Sequence, residues 1–205
     1  MGIVFTNPIQ KGINKDMTSS DDLRMTVYAA LMAALIAAGA YIAVPVGPVP
    51  IVLQNMFVLL AGLLLGWRWG LAAVAVYLLA GVCGLPVFAG GTGGIGRLAG
   101  PTGGYLLGYP PAVAAAGWIS ERTGGHTFFD VMGLVAGTAI VYLCGVPWLK
   151  MVTGMSMGKS LAVGMVPFLL GDGLKIVAAA AIARAIRPVI RKESGAAPTH
   201  DYSRS

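Results

Sequence analysis

The sequence predicts an all-α, polytopic membrane protein: six transmembrane helices, with a glycine-rich extracellular loop forming a ligand lid. Three observations carry this expectation. Hydrophobic residues make up 57% of the chain and charged residues only 11%, against roughly 25% charged in an ordinary soluble domain. Runs free of Asp, Glu, Lys and Arg cover residues 25–67, 69–96, 98–120 and 131–149, and a spanning helix needs about 20 mostly apolar residues. Between these runs, residues 84–108 carry glycine at 90, 91, 93, 94, 96, 100, 103 and 104 around a single cation, Arg97. So many glycines disfavour helix, and non-helical backbone at membrane depth persists only where it is buried in protein or lines a cavity.

The elements follow in order. Residues 1–22 form a polar N-terminal tail of mixed charge, without the apolar core of a cleaved signal peptide. Residues 23–187 are expected to form a six-helix transmembrane domain, and residues 188–205 a polar C-terminal tail. The first helix is expected over residues 23–44. Ala29, Ala33 and Ala37 recur on it at four-residue spacing, with Ala30, Ala34 and Ala38 beside them. Small residues in a line let two membrane helices approach closely, whether the partner belongs to this bundle or to another chain.

Pro45, Gly47, Pro48 and Pro50 stop that helix, because proline removes a backbone donor and disfavours helix before it. A short second helix fits residues 54–65. Gly66-Trp67-Arg68-Trp69-Gly70 then reads as a tight turn at the lipid headgroups, where tryptophan and arginine concentrate. The third helix covers residues 69–83 and leads into the glycine-rich stretch. The fourth covers 104–120, with a kink expected at Pro110-Pro111. The fifth covers 128–149. The sixth runs from 160 to 186 and ends among Arg184, Arg187, Arg191 and Lys192.

Charge then orients the bundle. Six spans put both termini on one side, and that side collects ten basic residues, from Lys11 to Arg204, while the other holds Arg97, Lys150 and Lys159. By the positive-inside rule the termini are cytoplasmic and the glycine-rich stretch faces out. The formal charge of +6 belongs to this asymmetry and does not indicate nucleic acid. Cys83 and Cys144 lie in apolar stretches and read as small packing residues, not a disulfide.

Two nucleotide-like motifs fail on context. Gly91-Thr-Gly-Gly-Ile-Gly96 matches GxGxxG but lacks the preceding strand and the later acidic residue. Gly158-Lys159-Ser160 ends like a P-loop, but Thr153 occupies the position of its first glycine. His126 and His200 have no second ligand at metal spacing. No acid, base and nucleophile set assembles in the apolar regions, so neither an enzyme, a cofactor nor a metal site is expected.

Asp172 and Lys175 are the only charges between Lys159 and Arg184. Three residues apart, they share a helix face. A charge inside a membrane costs several kcal/mol and usually faces a cavity or the bundle interior, marking function. The alternative is an internal ion pair that neutralises itself and fixes helix packing. On a continuous sixth helix, Asp172 lies roughly 18 Å from Ser160 at 1.5 Å per residue, within reach of a loop folding inward.

Val49-Pro-Ile-Val-Leu-Gln54, Gly84-Leu-Pro-Val-Phe-Ala-Gly-Gly91, Gly100-Pro-Thr-Gly-Gly-Tyr-Leu-Leu-Gly108 and Gly171-Asp-Gly-Leu-Lys175 together resemble the BioY family. These are the biotin-binding S components of energy-coupling factor (ECF) transporters. The resemblance covers about residues 23–187; Tyr109, where the pattern has phenylalanine, departs from it outside the expected site. It implies capture of biotin from outside without an enzymatic step. It also implies a transmembrane coupling subunit and two ATPase subunits as partners, in a prokaryotic cell membrane. Arg97 and Lys175 are then cations for the biotin carboxylate, with the choice between them open. Asp172 accepts from the ureido N–H groups, Tyr105 and Phe88 line the apolar part, and Gln54 adds a polar contact. The alanine lines, with Ala29, Ala33 and Ala37 foremost, become the docking surface for the coupling subunit. Alternatives are an S component for another vitamin, a solitary biotin transporter and, less favoured, an intramembrane enzyme.

Overall fold

The computed structural model describes residues 8–44 and 48–193, with side chains described over 21–43 and 48–190. The parts of the expected tails at 1–7 and 194–205, and Pro45 and Gly47 of the proline-rich loop, lie outside the described residues. The described residues are mostly helical. Helix α1 (Pro8–Tyr41) leads into a two-stranded antiparallel hairpin, β1 (Ala43–Val44) and β2 (Ile51–Val52), with Ala43 opposite Val52 and Val44 opposite Ile51. Then come α2 (Gln54–Val82), the one-turn α3 (Gly96–Ala99), α4 (Gly103–Arg122), α5 (Thr127–Thr153) and α6 (Met157–Gly164). A 3-10 turn (Val166–Phe168) and α7 (Leu169–Glu193) complete it.

Four stretches are long and apolar enough to cross a membrane: Asp21–Tyr41, Gln54–Val82, Thr127–Thr153 and Met157–Ile190. The second of these is folded on itself. Gly66 leaves the helical region with φ 78° and ψ 178°, a conformation that glycine adopts at little cost. A Cβ on Gly70 would lie 3.0 Å from the Cα of Gly62, whereas residues eight apart on a straight helix are about 12 Å apart. The expected turn at Gly66 thus forms, and the two arms of α2 run back to back. With α1, α4, α5 and the broken last segment they make six helical passes.

Helix α4 sits at the centre. Ala112, Val113 and Ala116 are wholly buried, and Gly62 and Gly117 let the arms of α2 close on it. A Cβ on Gly62 would meet the Val113 carbonyl at 2.7 Å, and one on Gly117 the Trp67 amide nitrogen at 2.6 Å. Helix α5 packs on the other side of α4.

Three expectations need correction. Helix α1 begins at Pro8, well before residue 23, because apolarity marks where a helix enters the membrane and not where it starts. It stops at Tyr41, since Ala43–Val44 pairs as a strand. The sixth helix is not continuous. Met165 has φ −136° and ψ −55°, and Pro167, with no N–H to donate, follows in a 3-10 turn. Tyr105 Oη donates to the Gly164 carbonyl at 2.8 Å, satisfying an acceptor at the end of α6. Finally, the line Ala29, Ala33, Ala37 faces inward: Ala29 and Ala33 are buried and Ala37 is half-buried against the core. Packing within the chain occupies that line, and Ala30, Ala34 and Ala38 beside it are the ones left exposed.

Candidate binding cavity beneath the glycine-rich lid

The glycine-rich stretch is a folded lid. Its turns use positive φ at Gly84, Gly90, Gly91 and Gly94. Phe88 and Thr92 form an isolated antiparallel bridge, with the Phe88 amide donating to the Thr92 carbonyl at 2.8 Å. The Phe88 ring is 1% exposed. It meets the Tyr77 ring edge-on at 5.6 Å and fills the space where Gly81 has no side chain, since a Cβ there would lie 2.2 Å from it. The end of α1 holds the same loop from another side: Tyr41 Oη donates to the Pro86 carbonyl, and the Gly90 amide to the Ala40 carbonyl at 3.4 Å. Further along, Trp148 Nε1 donates to the Gly100 carbonyl at 3.0 Å.

Beneath the lid lies a cavity of about 710 Å³, counting its open mouth. Its walls come from the proline-rich loop, α2, the lid, α4, α5, the turn after α6, and α7. All six residues singled out in sequence (Gln54, Phe88, Arg97, Tyr105, Asp172, Lys175) line it. Their polar groups are not equally available. Gln54 Nε2 donates to Tyr77 Oη at 2.7 Å, and the Tyr105 hydroxyl is held by Gly164. Arg97 donates to the Ala89 carbonyl at 3.2 Å through one terminal nitrogen. Its Nε is buried without a partner, and among the described residues Arg97 forms no ion pair.

The charges on α7 are differently placed. Asp172 and Lys175 are 4% and 9% exposed and pair at 3.0 Å, so each largely offsets the other's desolvation. Asn55 and Tyr142, neither of which stood out in sequence, complete the network. Asn55 Nδ2 donates to Asp172 Oδ1 at 3.1 Å, Lys175 Nζ donates to Asn55 Oδ1 at 3.2 Å, and Tyr142 Oη donates to Asp172 Oδ2. Tyr109 also lines the cavity, so the position placed outside the expected site belongs to its wall. Asn55 had a faint trace in sequence: it is a second amide beside Gln54 opening an otherwise apolar helix. Consecutive residues point about 100° apart on a helix, so one amide faces Tyr77 and the other α7.

The cavity therefore offers an unpaired guanidinium on the lid, a neutralised hydrogen-bonding cluster on α7, and apolar wall from Val49, Leu59, Leu106, Val141 and Phe168. Such a site suits a small molecule with an anionic group, an apolar body and a polar group carrying both donors and acceptors.

Comparison with known proteins agrees across family, sequence and structure. The BioY family model matches residues 13–192. The chain is 42% identical over 161 residues to the biotin transporter BioY of Thermotoga maritima, covering 78% of this chain and 94% of that one. It is 37% identical over 180 residues to the biotin transporter BioY of Rhizobium etli, covering 83% and 94%. Among solved structures, the S component for biotin from an ECF-type ABC transporter superposes with a TM-score of 0.78 at 30% identity, covering 82% of this chain and 93% of that one. The chain belongs to the BioY family.

Proposed function

We propose that this chain captures biotin in the cavity beneath the lid and serves as the substrate-binding subunit for its uptake. The observation that carries this reading is the buried, unpartnered Arg97 Nε in a cavity whose other cation, Lys175, is already neutralised by Asp172. Biotin has matching parts: a carboxylate, an apolar sulfur-containing ring system and a ureido group with two N–H donors and one carbonyl. Arg97 takes the carboxylate, for which a guanidinium supplies parallel N–H donors. Asp172 and Lys175 take the ureido group, and Tyr105, Phe88 and the aliphatic wall enclose the rings. Gln54, held by Tyr77, shapes the wall.

The lid is on the outer face of the cell membrane and both termini are cytoplasmic. Arg187 touches Leu63, Ser120 and Gly125 at the far end of the bundle. Arg68 and Arg122 sit there too, each over a tryptophan ring, Trp67 and Trp118, as the positive-inside rule requires of that end. Uptake is energised by a transmembrane coupling subunit with two ATPase subunits. The exposed line Ala30, Ala34, Ala38 on α1 supports a close helix–helix contact with the former.

Mass spectrometry of small molecules released from the detergent-purified protein tests the ligand directly. Biotin, recovered near one per chain, is expected. Recovery of a different vitamin at that ratio would overturn the assignment and leave an S component of other specificity.

A further inference from the structure

The hydrogen bonds around Asp172 leave little of it for a ligand. Lys175 can only donate, so Asn55 must turn its carbonyl oxygen toward Lys175 and its amino group toward Asp172, the arrangement found. A carboxylate has about four acceptor positions. Asp172 Oδ1 receives Asn55 and Lys175, and Oδ2 receives Tyr142: four positions less three leaves one. Lys175 has three N–H donors and gives one to Asn55 and one to Asp172, which also leaves one. Thr138, one turn before Tyr142 on α5, adds no further donor, because its hydroxyl proton goes to the Leu134 carbonyl at 2.8 Å.

We infer that Asn55 and Tyr142 are positioning residues that set specificity at this end of the cavity, by restricting the Asp172–Lys175 pair to one acceptor beside one donor. The inference rests on the biotin reading above. The restricted pair fits an N–H next to a C=O, as in a cyclic urea. It does not fit a ring presenting donors only. A guanidinium in place of the urea would direct N–H groups and positive charge at the remaining Lys175 N–H, and would find no second acceptor on Asp172. Removing the Tyr142 hydroxyl frees a second position on Oδ2, and removing the Asn55 amide frees one on Oδ1. Either change leaves the carboxylate two open positions, both on Oδ2 without the Tyr142 hydroxyl and one on each oxygen without the Asn55 amide, the latter being the fork of two parallel N–H bonds that a guanidinium favours. The Tyr142 ring is held independently of its hydroxyl, edge-on to Tyr105 at 6.5 Å, so its loss need not disturb the wall.

The test is a titration of the detergent-purified protein with biotin and with 2-iminobiotin in its protonated guanidinium form, for wild type, Tyr142→Phe and Asn55→Leu. Wild type is expected to prefer biotin strongly. Each variant is expected to lose that preference by about tenfold or more, through weaker biotin and unchanged or tighter iminobiotin binding. The ratio of the two affinities does not depend on how much protein is folded, so general damage leaves it where it was. Wild-type preference retained by both variants would overturn the inference while leaving the biotin reading intact. Wild type binding neither compound would overturn both.

Discussion

Arg187 and Asp130 form a buried ion pair at 2.8 Å at the end of the bundle opposite the cavity. Around it, Arg187 also donates to the Gly125 carbonyl at 2.6 Å, the Leu63 carbonyl at 3.0 Å and Ser120 Oγ at 3.0 Å. Ser120 in turn donates to the other Asp130 oxygen at 2.7 Å. One side chain on α7 thereby ties the first arm of α2, the end of α4 and the start of α5.

Arg187→Ala strands Asp130 and several acceptors, and breaking one partner of a buried pair costs about 3–5 kcal/mol. Thermal unfolding in detergent should show a clear loss of stability. The biotin/iminobiotin affinity ratio should stay at the wild-type value, because the cluster is remote from the cavity. A changed ratio with unchanged stability would contradict this division between the two ends.

The lid depends on the Phe88 ring staying in its socket. Gly81→Val places side-chain atoms where that ring lies and should expel it. Stopped-flow displacement of a fluorescent biotin analogue is expected to give release faster by about tenfold, a change in residence time of the kind that dominates affinity within one interface. Release at the wild-type rate would mean that Phe88 does not hold the ligand in.

The two alanine lines on α1 separate packing from docking. Ala34→Leu, on the exposed line, should weaken co-purification with a coupling subunit and leave biotin affinity within about twofold, since a bulky residue blocks close helix approach. Ala33→Leu, on the buried line, should lower stability through overpacking by about 1–3 kcal/mol. Full assembly by Ala34→Leu would remove α1 as the docking helix.

Orientation is open to thiol labelling. In a Cys83→Ala, Cys144→Ala background, Ile95→Cys on the lid should react with an impermeant maleimide in intact cells, and Arg122→Cys should react only after lysis. The opposite pattern would reverse the topology.

Much of this architecture was legible in sequence because the bilayer imposes it. Charge-free runs mark the spans, and an ionisable pair such as Asp172 and Lys175 stands out where each charge needs a reason. Gly66 announced its turn through the tryptophans beside it. Asn55 and Tyr142 were not legible for the complementary reason. An amide opening a helix and a tyrosine within residues 131–149 carry no formal charge, and only the fold brings them to Asp172. Four-residue spacing found the alanines but not the face that packs, because Ala33 and Ala34 differ only by rotation about one helix axis. The break before α7 was written in Pro167, yet apolar residues on both sides masked it as continuous span.

The most direct measurement of the central claim, that Arg97 reads the carboxylate and the α7 cluster the ureido group, is a double-mutant-type cycle in ligand and protein. Biotin and biotin amide, which lacks the negative charge, are titrated against wild type, Arg97→Ala and Lys175→Ala, since coupling appears only between groups that interact. Wild type should prefer biotin by at least about tenfold, or 1.4 kcal/mol. Arg97→Ala should lose most of that preference, and Lys175→Ala should bind both ligands weakly while keeping it. Wild-type preference in Arg97→Ala, with discrimination lost in Lys175→Ala, would contradict the account and put the carboxylate at α7.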